Sequence, residues 1–246
     1  MASEQLPFPG EPHPFPLVLG DALQLYRQAF VPFIAVAAIG GLISSTMSFA
    51  YVPSELPPVL LWALIVQMPL FVAEAALIVL ALQVQKGQPP GITGAYLSAF
   101  AVAPQYVAGS LLIAAGLLLG GLSIVGIVAG LFFFARWGLF GPIVVVEQQA
   151  MGEALRASWR LVKGRTMRTM VMLLVVQLVI PAVSFLVQSV VSNSAPLGAR
   201  IAFSTLGQAV ALPLVPLFAL LLYQDYLRLR SSDHPEAPQQ IPPPSA

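Results

Sequence analysis

The fold is decided by the stretch from Gly87 to Ala135, which reads GQPPGITGAYLSAFAVAPQYVAGSLLIAAGLLLGGLSIVGIVAGLFFFA and contains no Asp, Glu, Lys or Arg. As a single α-helix it would be roughly 70 Å long, more than twice the apolar thickness of a bilayer. The stretch must therefore fold back on itself, and the small residues Gly120, Gly121 and Ser123 mark the turn. It predicts two membrane-spanning helices joined by a tight connection.

The composition of the whole chain agrees with this interpretation. Of 246 residues, 58% are hydrophobic and only 9% are charged, whereas soluble domains carry about 25% charged residues. A water-soluble globule is therefore excluded. The chain has no Cys, and its two histidines, His13 and His234, lie near the termini. Because thiolates and core imidazoles are lacking, we expect no enzymatic activity, no metal site and no cofactor.

Four more apolar segments of about 20 residues lie between Pro, Gly and charged residues, which gives six in total. The predicted spans are 30–51, 59–83, 104–119, 122–146, 169–191 and 199–224. The Pro-rich segments 1–20 and 231–246 are predicted to be disordered cytoplasmic tails, leaving one domain over 21–230. Prolines inside spans are expected to kink the helices, since neighbouring helices can satisfy the freed carbonyls.

Short amphipathic segments precede some of these spans. Asp21–Arg27 and Glu153–Arg160 share an acidic residue followed by Ala-Leu, and then an aromatic residue followed by Arg. A weaker copy, 93–100, precedes span three. The pattern predicts an all-α integral membrane protein of three helical hairpins, each led by a short interfacial helix. Either a true internal repeat or a common need for amphipathic lead-in segments accounts for it.

The basic residues predict the orientation. Six spans place both termini and the loops after spans two and four on one side of the membrane. That side holds nine basic residues, whereas Arg200 alone lies opposite. By the positive-inside rule, we expect both termini to lie in the cytoplasm. The nine residues are Arg27, Lys86, Arg156, Arg160, Lys163, Arg165, Arg168, Arg228 and Arg230.

Two charged residues, Glu74 and Arg136, fall inside predicted spans. Each lies 11 or 12 residues before the charged residue that ends its span, so the two are expected at nearly equal depth. An isolated charge in a membrane helix costs roughly 2.5 to 3.5 kcal/mol on insertion scales, and an ion pair relieves both. We predict a pair between spans two and four. It is either a structural contact or a polar site for a substrate or proton.

The loop between spans four and five predicts an interfacial helix. Leu155, Trp159 and Val162 recur at helical spacing, and basic side chains recur at the same spacing beside them. Such a helix lies at headgroup depth, where anionic phospholipids attract basic residues. The residues expected to contact anionic headgroups are Arg156, Trp159, Arg160, Lys163, Arg165 and Arg168.

Four motifs together resemble a known family. They are Asp21–Arg27, Gly141–Glu147, Glu153–Gly164 and Leu222–Arg230. These motifs are similar to those of a large bacterial family of six-span proteins that resemble the membrane domain of glycerophosphoryl diester phosphodiesterases. Where a phosphodiesterase is attached in this family, catalysis belongs to a separate soluble barrel. The resemblance, which covers about residues 17–230, therefore implies a membrane module of unsettled role, located in a bacterial cytoplasmic membrane.

Two functions fit this sequence. The first is a membrane scaffold or envelope-homeostasis factor that contacts anionic lipid or a partner protein through the loop helix. The alternative is a transporter or channel for a small or lipid-like solute. Transport predicts a water-accessible cavity that reaches Glu74, whereas a scaffold predicts a dry, packed interior there. The net charge of +1 gives no reason to expect a nucleic-acid partner.

Overall fold

The computed structural model describes residues 12–51, 55–121, 123–190 and 195–233, and these form α-helices without any β-strand. The helices are α1 (Phe15–Gln28), α2 (Phe30–Ala50), α3 (Leu56–Gln85), α4 (Ile92–Gly120), α5 (Ile124–Trp137), α6 (Phe140–Glu147), α7 (Met151–Val162), α8 (Thr166–Gln177), α9 (Val179–Val190), α10 (Leu197–Ala211) and α11 (Leu214–Asp233). The all-α fold class is confirmed.

Six segments of the described chain are long and apolar enough to cross a membrane, as the sequence predicts. They are Phe30–Ala50, Leu61–Gln85, Ile92–Leu118, Val125–Glu147, Thr166–Val183 and Leu197–Ser231. The turn within the charge-free stretch involves Gly120, Gly121 and Ser123, and the Ser123 hydroxyl accepts a hydrogen bond from the amide of Gly126 at 3.0 Å. A Cβ on Gly120 would lie 2.6 Å from the Gly126 carbonyl oxygen, so the close approach of α4 and α5 requires glycine there.

The last three spans are each interrupted, so that each consists of two helices in series. Every interruption lies three or four residues before a proline. A proline lacks an amide hydrogen, and its ring collides with the carbonyl one turn earlier, which breaks the helix at that point. The interruptions fall at 138–139, 178 and 212–213, before Pro142, Pro181 and Pro216. Pro69 and Pro104, by contrast, lie inside unbroken helices.

Some predicted boundaries are wrong. The segment 93–100 is not a separate lead-in helix, because it continues into α4 without a break. Helix α1 begins at Phe15, inside the segment expected to be a disordered tail, and Pro16 suits the first turn of a helix. Helix α11 continues to Asp233, beyond the predicted domain end. The rest of the predicted tails, 1–11 and 234–246, lies outside the described residues.

Helix α3 occupies the centre of the fold and contacts α1, α2, α4, α6 and α11. Its buried face is rich in alanine, which lets the neighbouring backbones come close. A Cβ on Gly40 would lie only 2.6 Å from the Cβ of Ala73, so α2 and α3 touch at this glycine. Consecutive spans are in contact throughout: α2 with α3, α4 with α5, and α9 with α10.

Candidate functional site

A half-open cavity of about 180 Å³ lies between α3, α4, α5, α6, α8 and α11. Most of its wall is aliphatic and aromatic. Four polar side chains also line it, namely Glu74, Tyr106, Ser110 and Gln177. An apolar pocket with a few convergent polar groups is the usual form of a small-molecule site.

The carboxylate of Glu74 is held at the cavity wall by one tyrosine. The Tyr106 hydroxyl donates a hydrogen bond to Oε2 of Glu74 at 3.3 Å. Tyr106 is itself buried, and its ring lies 5.8 Å from the ring of Phe140. A Cβ on Gly141 would lie 3.0 Å from the Tyr106 hydroxyl oxygen, so this glycine leaves the space that the phenol occupies.

The interrupted helices meet at the same cavity. Gly138, Gln177 and Pro216, one from each interrupted span, line it. A proline removes the amide partner of a carbonyl in the preceding turn, so these segments carry backbone acceptors without their usual helical donors. Discontinuous helices of this kind form solute sites in many transporters.

Arg136 does not pair with Glu74, and the predicted ion pair is wrong. Its guanidinium carbon lies 4.7 Å from the ring centroid of Trp159 and 5.3 Å from that of Phe132. Its Nη1 donates to the Trp159 carbonyl oxygen at 3.2 Å. Within the described chain, Glu74 forms no ion pair and has Tyr106 as its hydrogen-bond partner. Aromatic faces and a carbonyl therefore contact the cation that the sequence assigned to a carboxylate, and its buried Nε has no hydrogen-bond partner in the described part of the chain.

Helix α7 is amphipathic, as the spacing predicts. Ala154, Leu155, Ser158 and Val162 are buried. The Ser158 hydroxyl donates to the Arg136 carbonyl oxygen at 2.8 Å. These contacts fix α7 against the end of α5.

The basic side chains of α7 and its end divide into two groups. Arg156, Arg160 and Lys163 are exposed, and a groove of about 460 Å³ runs beside the first two. Trp159, which the sequence placed at headgroup depth, is half-buried and lies against Phe132 and Phe133. The exposed side chains are free to meet a headgroup, whereas the tryptophan mainly holds Arg136.

Arg165 and Arg168 take part in internal contacts instead. Arg168 Nη2 lies 3.2 Å from Oδ2 of Asp225 and also donates to the carbonyl of His13. Asp225 is only 5% exposed. The Arg165 guanidinium lies 5.8 Å from the Tyr226 ring centroid. The prediction that Arg168 contacts headgroups did not take Asp225 into account. The burial of Asp225 on α11 cannot be recognised from the linear sequence.

Asp225 has two further partners. Arg228 Nη2 lies 3.0 Å from its Oδ1, and His13 donates to the same oxygen through its backbone amide at 3.4 Å. The segment before α1 is thereby tied to α8 and α11. No group of three His, Cys, Asp or Glu that could hold a metal occurs in the described residues.

A comparison with protein families now adds to this geometry. Residues 92–223 match the model of the membrane domain of glycerophosphoryl diester phosphodiesterase. The chain belongs to this family. The matched region includes the hairpin turn, the first two interrupted spans, the third as far as residue 223, α7 and most of the cavity lining, whereas Glu74 lies outside it. No protein with a curated description and no solved structure matches the chain.

The cavity site was only partly predictable. Glu74 was singled out as an intramembrane charge, but Tyr106 and Ser110 were not. Gln177 carried a signal, because it is a lone polar residue in an apolar span. An aromatic residue in a membrane helix carries no comparable signal, since most such residues face lipid or neighbouring apolar side chains.

Proposed function

We propose that this protein is a non-enzymatic, multi-pass membrane protein that binds a lipid-like solute in the cavity at Glu74 and moves it within or across the bilayer. The observation that carries the proposal is the cavity of about 180 Å³ that reaches this carboxylate. Its wall combines aliphatic and aromatic side chains with a few polar groups, which is the usual form of a small-molecule site.

The cavity lining favours one class of solute. Aliphatic and aromatic walls suit an apolar body, while Glu74 and Tyr106 suit a head that donates hydrogen bonds or carries positive charge. A carboxylate offers about four acceptor positions, and within the described chain Glu74 receives one hydrogen bond, from Tyr106. The remaining positions are available to an ammonium or hydroxyl group of a bound molecule.

The test uses a fluorescent long-chain alkylamine that carries its dansyl group at the end opposite a free ammonium group, with the purified full-length chain in detergent. Glu74→Gln should weaken binding about ten-fold or more, since hydrogen bonds to charged groups contribute about 1.5 to 3 kcal/mol. Glu153→Gln, which changes an exposed carboxylate on α7, is the matched control and should bind like the wild type. Equal affinity of Glu74→Gln and wild type would contradict the proposal.

A second candidate function is a scaffold that contacts anionic phospholipid or a membrane-protein partner through α7. The exposed Arg156, Arg160 and Lys163 favour it, because each basic residue near an anionic leaflet contributes about 1 kcal/mol. Neutralising these three residues together should weaken binding to phosphatidylglycerol liposomes. Unchanged binding would reject lipid contact at this helix.

The proposed location is the bacterial cytoplasmic membrane, with both termini in the cytoplasm. The support is the crowding of nine basic residues on one side against Arg200 on the other. Alkaline phosphatase fused after Asp233 should be inactive, and the same enzyme inserted at Leu197 should be active. The reverse pattern would overturn this orientation.

A further inference from the structure

A second pocket, of about 140 Å³, lies apart from the cavity, between the end of α6, helix α7 and the last turns of α11. Aliphatic side chains form one part of its wall. The other part is polar and is formed by Glu147, Gln149, Arg160, Tyr223 and Arg230. This pocket shares no lining residue with the cavity at Glu74.

Glu147 is held in one orientation by two donors. The Tyr223 hydroxyl donates to its Oε1 at 2.5 Å, and Gln149 Nε2 donates to its Oε2 at 2.6 Å. Gln148 ends α6 in the left-handed conformation, with φ 52°, and this turn brings Gln149 back toward the carboxylate. Each oxygen of Glu147 retains capacity to accept a further hydrogen bond.

The two arginines reach the pocket from different helices. Arg160 lies on α7 and Arg230 on α11, and both are exposed. Across residues 12–51, 55–121, 123–190 and 195–233, neither arginine forms an ion pair with a carboxylate, and this includes Glu147 on the same pocket. Opposite charges that line one pocket without pairing leave a space with a cationic side and an anionic side.

We propose that this pocket binds a phosphodiester that carries a primary ammonium group. The planar guanidinium groups of Arg160 and Arg230 match phosphate oxygens, to which arginine donates in bidentate fashion. The fixed carboxylate of Glu147 accepts from the ammonium. A purely anionic headgroup meets repulsion from Glu147, and a trimethylated ammonium cannot donate the hydrogen bond. The aliphatic wall suits the glycerol end of a lipid.

This chemistry has two sources, a phosphatidylethanolamine headgroup in the membrane and its deacylated form, glycerophosphoethanolamine, free in water. Native mass spectrometry of the delipidated full-length chain can separate them. The chain is exposed to equal amounts of phosphatidylethanolamine, phosphatidylglycerol and phosphatidylcholine, with and without millimolar glycerophosphoethanolamine. Displacement of the bound lipid by glycerophosphoethanolamine identifies a soluble ligand. Retention of phosphatidylethanolamine in its presence identifies the lipid.

We expect phosphatidylethanolamine to bind about ten-fold more tightly than the other two lipids, the effect of one charge-assisted hydrogen bond. Glu147→Gln should remove its advantage over phosphatidylcholine. Arg160→Gln with Arg230→Gln should weaken binding of all three lipids. Arg27→Gln changes an exposed basic residue on α1 that does not line this pocket; it is the matched control and should change nothing.

Equal binding of the three lipids by the wild type would overturn the proposal, as would a headgroup preference that survives Glu147→Gln. If Glu147→Gln lowers the melting temperature, the single variant Arg230→Gln provides the test instead. Its side chain is exposed and lies in the last turn of α11, so the substitution should not affect folding. Wild-type affinity in Arg230→Gln would then contradict the site. A variant that loses lipid binding at this pocket but still binds the alkylamine would show that the pocket and the cavity at Glu74 are separate sites.

Discussion

The hydroxyl of Tyr106 lies 3.3 Å from Oε2 of Glu74, and this contact joins α4 to α3 at the wall of an intramembrane cavity. The carboxylate therefore meets a neutral donor, whereas Arg136 is held elsewhere by aromatic rings. A carboxylate whose charge is not cancelled by a neighbouring cation can still recognise one. This relationship is the physical basis of the solute site.

Removing the phenol hydroxyl should expose the role of this contact. Tyr106→Phe should lower the free energy of unfolding by about 1 to 3 kcal/mol, because the Glu74 carboxyl loses its donor in a buried setting. Thermal unfolding in detergent measures the effect. Tyr51→Phe changes an exposed tyrosine and should leave the melting temperature unchanged. A Tyr106→Phe protein as stable as the wild type would show that the hydrogen bond contributes nothing.

Exchanging the two intramembrane charges tests the correction to the predicted ion pair. Glu74→Arg combined with Arg136→Glu should not restore folded protein, because Arg136 lies against Trp159 and Phe132 and not against Glu74. A glutamate at position 136 would face the negative face of those rings. The amount of folded protein in membranes is measured by size-exclusion chromatography of a fluorescent fusion. Recovery in the double exchange would restore the ion-pair hypothesis.

The ion pairs of Asp225 with Arg168 and Arg228 should stabilise the fold. Asp225→Asn leaves the partly buried Arg168 without its carboxylate, and breaking such a pair typically costs about 3 to 5 kcal/mol. Because Arg168 and Arg228 retain some contact with solvent, we expect a loss of about 2 kcal/mol or more in the free energy of unfolding. Asp21→Asn, at an exposed position on α1, should be nearly neutral. Equal stability of the two variants would show that the contacts of Asp225 do not stabilise the fold.

Alkaline pH should release α1. Burial raises the pKa of Tyr26 from 10.0 to about 12, and its hydroxyl donates to the carbonyl of Val210 at 3.2 Å. The folded protein holds this proton more tightly than the unfolded chain does. The resulting stability is fully present below pH 10 and is lost as the pH rises toward 12. The melting temperature of Tyr26→Phe should therefore fall less than that of the wild type between pH 10 and pH 12. Identical pH profiles of the two proteins would contradict a contribution from the Tyr26 hydroxyl.

The span count, the hairpin turn and α7 could be predicted because each depends on local composition or helical spacing. Equal depth of Glu74 and Arg136 was a sound inference, but depth does not determine the direction in which a side chain points around its helix. The rotation of α3 and α5 places the two groups on different sides, where Tyr106 and Trp159 meet them. Those contacts depend on tertiary packing and have no counterpart in the spacing of the sequence.

The interruptions also show what proline does and does not predict. Pro142 and Pro181 follow breaks, yet Pro69 lies within an unbroken helix. Proline weakens the preceding turn in every case, and neighbouring helices decide whether the turn opens. The convergence of three opened turns on one cavity could not be deduced from the prolines alone.

The central claim is that the cavity at Glu74 admits water and a solute, and the absence of native cysteines permits a direct test. Ser110→Cys places a thiol on the cavity wall, whereas Ala76→Cys places one in the packed core, where Ala76 is 0% exposed. The proposal predicts that a small, charged, water-soluble thiosulfonate modifies Ser110→Cys and spares Ala76→Cys. Dodecylamine should slow the reaction at position 110. If Ser110→Cys is as unreactive as Ala76→Cys, the interior is dry and the solute site is contradicted.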